Sequence, residues 1–289
     1  MTFRKLFDAI AADDRLNFAI TNNLPRRAVS RLMGRVAAIE NRLISAPAIA
    51  AFRFLCAPDL SEARQASFAS LRDCFIRELA PGRRPIDPRP DILASPSDGI
   101  VVAAGTIAQG LLLQVKGSAY PLAELLRDEA RAAALEGGCY ATLRLTAGMY
   151  HRFHAPQDGR LTEIVHIAGD AWNVNPPALA RIPRLYCRNE RAALRLEPNI
   201  GGPTITLVAV AAVLVAGIRI HGAALPARRD HAEPWRSPCD LPRAKGEELG
   251  WFEHGSTIVV LAPRGVALAP ALREGTTIRM GEALMRLLD

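Results

Sequence analysis

GGPTITLVAVAAVLVAGIRI, residues 201–220, decides the fold. No charged side chain occurs between Glu197 and Arg219, so hydropathy alone would read a transmembrane helix. The clearly apolar part, Ile205–Ile218, is only about fourteen residues, whereas a helix needs roughly 20 to cross a bilayer. Gly201, Gly202 and Pro203 shorten it further. Two buried strands joined tightly fit the stretch better.

The same texture extends outward. Short β-branched or alternating runs occur at Ile100–Val102, Leu111–Val115, Thr142–Leu145, Leu161–Ile167, Ala192–Leu196 and Thr257–Leu261. They predict a β-rich, mainly antiparallel core, sandwich or barrel-like, with few helices, of which Pro121–Leu135 is the best candidate. A parallel βαβ fold is disfavoured, and no internal repeat, Walker A or G-x-G-x-x-G motif appears.

The first 70 residues read differently. Residues 1–55 hold nine Lys or Arg against four Asp or Glu, most of the net +7 of the chain. From Ala28 to Leu43 the apolar residues Val29, Leu32, Met33, Val36, Ile39 and Leu43 recur at helical spacing, with Arg27, Arg31 and Arg35 on another face. Such an amphipathic helix suits either an anionic membrane surface or its own protein core. Pro47 should break or kink the following segment. A proline-rich linker, residues 81–97, then leads to the core. The fold class is therefore α+β, with amphipathic N-terminal helices (1–70) ahead of a β-rich core (71–289).

Composition excludes several classes. The five cysteines are odd in number and lack C-x-x-C spacing, which argues against a disulfide frame or a zinc site and for a reducing compartment. Asp8, Asp13 and Asp14 interrupt any signal-peptide pattern. The basic leader could attract nucleic acid, but aromatic residues are only 6% and no binding motif accompanies it.

Three polar clusters lie in apolar surroundings: Asp98 in SPSDGIVV, His151 and His154 in YHRFHAP, and Ser256 in FEHGSTIVVL. They supply an acid, a base and a nucleophile. The order Asp, His, Ser differs from that of the α/β-hydrolases, and no G-x-S-x-G elbow exists. The H-x-x-H pair lacks a third ligand at a recognisable spacing, so no metal is expected, and acid–base work suits an imidazole better. Taken alone, Asp98-Gly99 is a turn signal. Gly117-Ser118 is a second Gly-Ser pair, and Tyr150 and Phe153 fit either a substrate pocket or the core.

Six blocks, in order, resemble the pyruvoyl-dependent phosphatidylserine decarboxylases of the longer bacterial and mitochondrial type. They are LRDCFIRELAPGRRPID (71–87), SPSDGIV (95–101), VKGSAYPLAELL (115–126), YHRFHAPQDGRLTEI (150–164), WNVNPPALARIPRLYCRNERAAL (172–194) and GST (255–257). The resemblance covers roughly residues 71–289. It implies self-cleavage between Gly255 and Ser256 into a large chain (1–255) and a small one (256–289), with Ser256 becoming a pyruvoyl cofactor. It further implies Asp98, His154 and Ser256 as the cleavage triad, and His151 as the proton handler in decarboxylation. Ser118 becomes structural or substrate-lining, and Arg188, Asn189 and Glu190 a buried polar network or a headgroup contact.

The substrate implied is phosphatidylserine, met by a homodimer held peripherally at the cytoplasmic face of the cell membrane. His254 departs from the leucine usual in the family motif, which puts the cleavage rate in question. Two other readings stay open on the residues alone: an uncleaved Ser/His/Asp lipid hydrolase, and a non-catalytic membrane-bound β module.

Overall fold

A computed structural model describes residues 13–23, 25–113, 119–199, 201–212, 217–226, 233–253 and 256–288. The leader forms α1 (Asp14–Asn22), α2 (Arg26–Ala37) and α3 (Arg42–Cys56), followed by the short α4 (Leu71–Phe75). Local capping sets these limits. Asp13 Oδ1 accepts the backbone N–H groups of Arg15 and Leu16, each at 2.9 Å, and Asn41 Oδ1 accepts that of Leu43 at 2.9 Å. Such caps satisfy N–H groups that a helix leaves without partners in its first turn.

The Asn41 cap corrects one expectation. The helical periodicity from Ala28 to Leu43 is cut after Ala37, and Leu43 opens the next helix. Pro47 does not end that helix, which runs through it to Cys56. The side chain of Arg27 lies outside the described residues.

The leader is docked on the core through its polar side. Arg26 pairs with Asp170 at 2.6 Å and lies 3.4 Å over the ring of Trp172, while Asn22 accepts the backbone N–H of Asn173 at 3.1 Å. Part of its apolar stripe faces outward, Leu32 being 62% and Leu43 86% exposed, while Val29, Met33 and Ile39 are half-buried. Apart from Leu113 and Leu288, every large apolar side chain exposed among the described residues belongs to the leader.

The core begins with β1 (Ile92–Ala94), β2 (Gly99–Thr106), β3 (Leu111–Leu113) and β4 (Ala119–Pro121). There follow α5 (Leu122–Leu126), α6 (Glu129–Ala134), β5 (Cys139–Leu145), β6 (Arg152–His154), β7 (Gly159–Ile167), α7 (Pro176–Arg181) and α8 (Leu185–Arg188). The expected single helix Pro121–Leu135 is two, because Arg127 adopts a left-handed φ of 52° and Asp128 Oδ1 recaps the chain at Arg131 N, 3.0 Å away. The rest is strand: β8 (Arg191–Pro198), β9 (Ile205–Ala211), β10 (Ile218–Ile220), β11 (Trp235–Arg243), β12 (Glu248–Phe252), β13 (Ser256–Ala262), β14 (Val266–Leu268), β15 (Thr277–Ile278) and β16 (Ala283–Leu287).

Eight strands form the main sheet in the order β11-β7-β8-β9-β13-β5-β2-β15, with antiparallel pairing throughout. Smaller sheets are β1-β16-β14, β10-β12-β6 and β3-β4. The main sheet ends in two edges and closes no barrel, so the α+β class holds in its open form. Pro238 and Pro242 fall on the edge strand β11, where a missing N–H costs no ladder bond. The stretch supplies one buried strand, β9, between β8 and β13, and its last residue, Ile218, opens β10, which pairs with β12 in a different sheet; residues 213–216 between them lie outside the described residues. Among the described residues no helix is long and apolar enough to cross a membrane.

β13 is the sheet's interior member. Every residue from Ser256 to Ala262 is buried, flanked by β9 on one side and β5 on the other. Complete burial of its Ile, Val and Leu side chains contributes roughly 1.5–3 kcal/mol each against exposure.

Candidate active site

The antiparallel registers gather the singled-out residues at one end of the main sheet. Ser256 opens β13 opposite Leu145 at the end of β5 and Ala211 at the end of β9. The chain leaving β5 turns directly through Tyr150 and His151 into β6. Asp98 immediately precedes β2, whose Ile100 pairs with Arg144 of β5.

Ser256 is fully buried, and its Oγ has no hydrogen-bond partner among the described residues. A buried hydroxyl left in that state costs about 1–3 kcal/mol; Ser97, Thr142, Thr257 and Tyr186 share it, and Ser256 differs from them in standing next to the Gly255 peptide. His254 and Gly255, and with them the peptide bond named above, lie outside the described residues, as does Ser118. The segment just before them is held firmly. The carboxylate of Glu253, 4% exposed, takes Arg72 Nη2 at 2.5 Å and Arg219 Nε at 3.3 Å, and its N–H donates to the Gly217 carbonyl at 3.1 Å.

His154 is anchored at both ring nitrogens. Nδ1 lies 2.9 Å from the Gly246 carbonyl and Nε2 3.0 Å from the Tyr150 hydroxyl. A carbonyl only accepts, so Nδ1 carries the proton and Nε2 receives the phenolic hydrogen. Burial pulls this imidazole below its ordinary pKa, against the Gly246 carbonyl, which pulls it up. His154 is thus a neutral base with its lone pair on Nε2. Burial pushes the Tyr150 phenol up, so it remains a donor.

His151 shows the same tautomer logic. Its Nδ1 donates to the Met149 carbonyl at 2.9 Å, its ring lies 3.9 Å from that of Phe75, and its own carbonyl accepts the Phe252 N–H at 3.0 Å. Phe75 in turn meets Phe52 of the leader, ring centroids 5.9 Å apart.

Asp98 is engaged elsewhere than the triad reading implies. Its carboxylate takes Arg84 Nε at 2.8 Å and Nη2 at 2.6 Å, and the Met280 N–H at 2.9 Å. Arg84 also reaches Glu62 at 2.8 Å. Burial pulls the Arg84 pKa down, but the hydrogen bonds to Asp98 and Glu62 outweigh it and hold the guanidinium above its ordinary value. No hydrogen bond joins Asp98 to His154 among the described residues. The two are linked by the backbone, His154 N donating to Pro96 O at 2.8 Å, and by their charges across the loop.

The CRNERAAL block forms a polar network behind β13. Asn189 bonds Trp172 at both its N–H and its carbonyl, and donates to Ala211 O at 2.8 Å, the residue paired with Ser256. Glu190 meets His166, a residue not singled out in the sequence, at 3.2 Å. Arg84, Glu253 and the Tyr150–His154 bond were also missed as functional contacts. Arg84 and Glu253 lie inside the quoted motifs, so their block membership was the available signal.

The family model described as phosphatidylserine decarboxylase matches residues 71–286. Proteins named phosphatidylserine decarboxylase proenzyme are similar along almost their whole length. The one from Anaeromyxobacter sp. (strain K) is 38% identical, covering 94% of this chain and 98% of its own. Those from Shewanella baltica (strain OS155 / ATCC BAA-1091) and Shewanella sp. (strain MR-4) are each 35% identical, covering 96% of this chain and 98% of theirs. The fold and site thus define a member of an enzyme family built on an antiparallel sheet with a buried serine. The chain belongs to the phosphatidylserine decarboxylase family.

Proposed function

We propose that the chain is a precursor that cuts itself between Gly255 and Ser256, and that the mature enzyme converts phosphatidylserine to phosphatidylethanolamine and carbon dioxide. The observation that carries this reading is the Ser256 hydroxyl, fully buried and without a partner at the head of an interior strand. In the first stage the neutral Nε2 of His154 takes the Ser256 hydroxyl proton, and Oγ attacks the Gly255 carbonyl carbon, turning the amide into an ester. Loss of the Ser256 Cα proton then expels the Gly255 carboxylate, and water releases the nitrogen as ammonia, leaving a pyruvoyl group at residue 256. Asp98 favours the imidazolium by its charge, while Tyr150 and Gly246 hold the ring in place.

The residues present fit a pyruvoyl group at position 256, since residue 256 is fully buried and its hydroxyl has no partner among the described residues. That ketone supplies an electrophile for the substrate amine and an electron sink as carbon dioxide leaves. His151 supplies a proton from the turn beside Phe252, and Phe75 fixes the plane of its ring. The leader (1–70), with part of its apolar stripe outward, seats the core (71–289) peripherally on the cytoplasmic, anionic face of the membrane, where the substrate resides. The mature enzyme is a homodimer of such two-chain units, which sedimentation would check.

The test is a denaturing gel and intact mass of purified protein, with carbon dioxide release assayed on phosphatidylserine and on free serine. Two chains, a blocked small-chain N-terminus and release from the lipid are the expected result. An active enzyme with one unbroken chain would overturn the reading.

A further inference from the structure

Arg77 is 3% exposed and follows α4. Its Nη2 donates to the Gly148 carbonyl at 2.9 Å, but Nε and Nη1 have no hydrogen-bond partner. Among the described residues no carboxylate pairs with it. Arg72 and Arg243 each leave only a buried Nε without a partner and pair with a carboxylate through another nitrogen, and two other arginines with buried side chains are better satisfied. Arg191, 1% exposed, donates to the carbonyls of Leu125, Cys187, Asn189 and Glu124, and Arg84 binds two carboxylates. Arginine stays cationic even where burial lowers its pKa, as it does here. A buried cation with idle donors is costly unless an anion completes it.

The location says which anion. Gly148 lies on the turn that leads from β5 to His151, so close to the end of the leader that a Cβ on it would meet Cys56 O at 2.4 Å. The neighbouring Ile76 carbonyl accepts Arg152 Nε at 2.8 Å, and Phe75 covers His151. Arg77 therefore occupies the junction between the leader, with its outward apolar residues, and the turn that carries His151.

We propose that Arg77 binds the phosphodiester of the lipid substrate; this rests on the proposed function and deepens it. The substrate's other anion, its carboxylate, is the poorer match. A cation held on the carboxylate stabilises the ground state and loses its partner as neutral carbon dioxide forms, which raises the barrier. The phosphodiester keeps its charge throughout and fits a planar guanidinium with two parallel bonds.

The experiment compares the purified, self-cleaved wild type with Arg77→Gln and Arg77→Lys, using phosphatidylserine in mixed micelles and a serine O-alkyl ether that lacks the phosphate. Arg77→Gln should be cleaved to the wild-type extent. It should raise KM for phosphatidylserine about tenfold or more, the loss of a charge-assisted bond, with kcat little changed and turnover of the ether unaffected. Arg77→Lys should fall between, and it carries the comparison if Arg77→Gln fails to fold.

Equal losses on both substrates would overturn the proposal in favour of a structural or carboxylate role, and loss of cleavage in both variants would assign Arg77 to the scaffold. Inorganic phosphate that blocks wild-type turnover of the ether as well would assign the site to a free anion. Wild type that releases nothing from phosphatidylserine would instead refute the underlying function, before any variant is compared.

Discussion

The Tyr150 hydroxyl donates to Nε2 of His154 at 3.0 Å, occupying the lone pair that a base must use. Because the phenol stabilises the neutral imidazole, Tyr150→Phe should free that lone pair and raise the ring's pKa. A hydrogen bond of about 1 kcal/mol corresponds to somewhat less than one pH unit. Freshly translated Tyr150→Phe precursor should show a cleavage midpoint displaced upward by that amount, read from gel time courses across pH. An unmoved midpoint would remove His154 from the cleavage step.

Burial of His154 also makes stability pH-dependent. Its folded pKa lies below the ordinary value of 6.5 because burial disfavours the charged ring, so below pH 6.5 the unfolded chain takes up the proton first. Stability is therefore complete above that pH and falls as pH drops from 6.5 through the folded value. Melting of the uncleaved Ser256→Ala chain should track this window, and adding His154→Gln should flatten the curve there. A slope that survives the second substitution would point to another group.

Roles for the two histidines separate cleanly by assay. Ser256→Ala should abolish both cleavage and carbon dioxide release. His151→Ala should leave cleavage largely intact while decarboxylation drops by 10²–10⁴, roughly the range for loss of a general acid. The reverse pattern would exchange the two assignments.

Glu253 ties the segment just before the proposed cut to Arg72 and Arg219. Glu253→Ala should slow cleavage by loosening that segment, while mature enzyme, once formed, keeps most of its turnover. Comparing precursor half-life with the activity of fully processed protein distinguishes these effects. Equal loss in both would mean that Glu253 acts beyond the cut.

The leader supplies a fifth readout. Leu32→Glu with Leu43→Glu replaces two side chains that are 62% and 86% exposed, so melting should change by less than about 0.5 kcal/mol. Sedimentation with anionic vesicles should fall sharply. Unchanged vesicle binding would place the membrane contact elsewhere.

Much of this was legible in the residues. The β-branched runs gave strands near their places, and the length of the 205–218 stretch separated strand from membrane helix. Topology was not, because pairing partners depend on contacts far apart in sequence: nothing in WRSPCDLPR marks an edge strand, and nothing in the 201–220 run assigns β9 and β10 to different sheets. The helix breaks at Asn41 and Asp128 were carried by single capping side chains within otherwise continuous periodicity. Asp98, His151, His154 and Ser256 were visible as polar residues in apolar surroundings. The bonds of Asp98 to Arg84 and of His154 to Tyr150 were not, since motif spacing says nothing about which neighbour an arginine or phenol faces.

The placement of β13 between β9 and β5 has a mechanical corollary. A nick at its first residue severs the backbone without freeing either piece, because the short C-terminal fragment is clamped as a middle slat with hydrogen bonds on both flanks. The two fragments should co-purify under every non-denaturing condition and melt as one cooperative body. Denatured and separated, they must find each other before either can rebuild the sheet, so recovery should be second order in concentration although synthesis required only one chain.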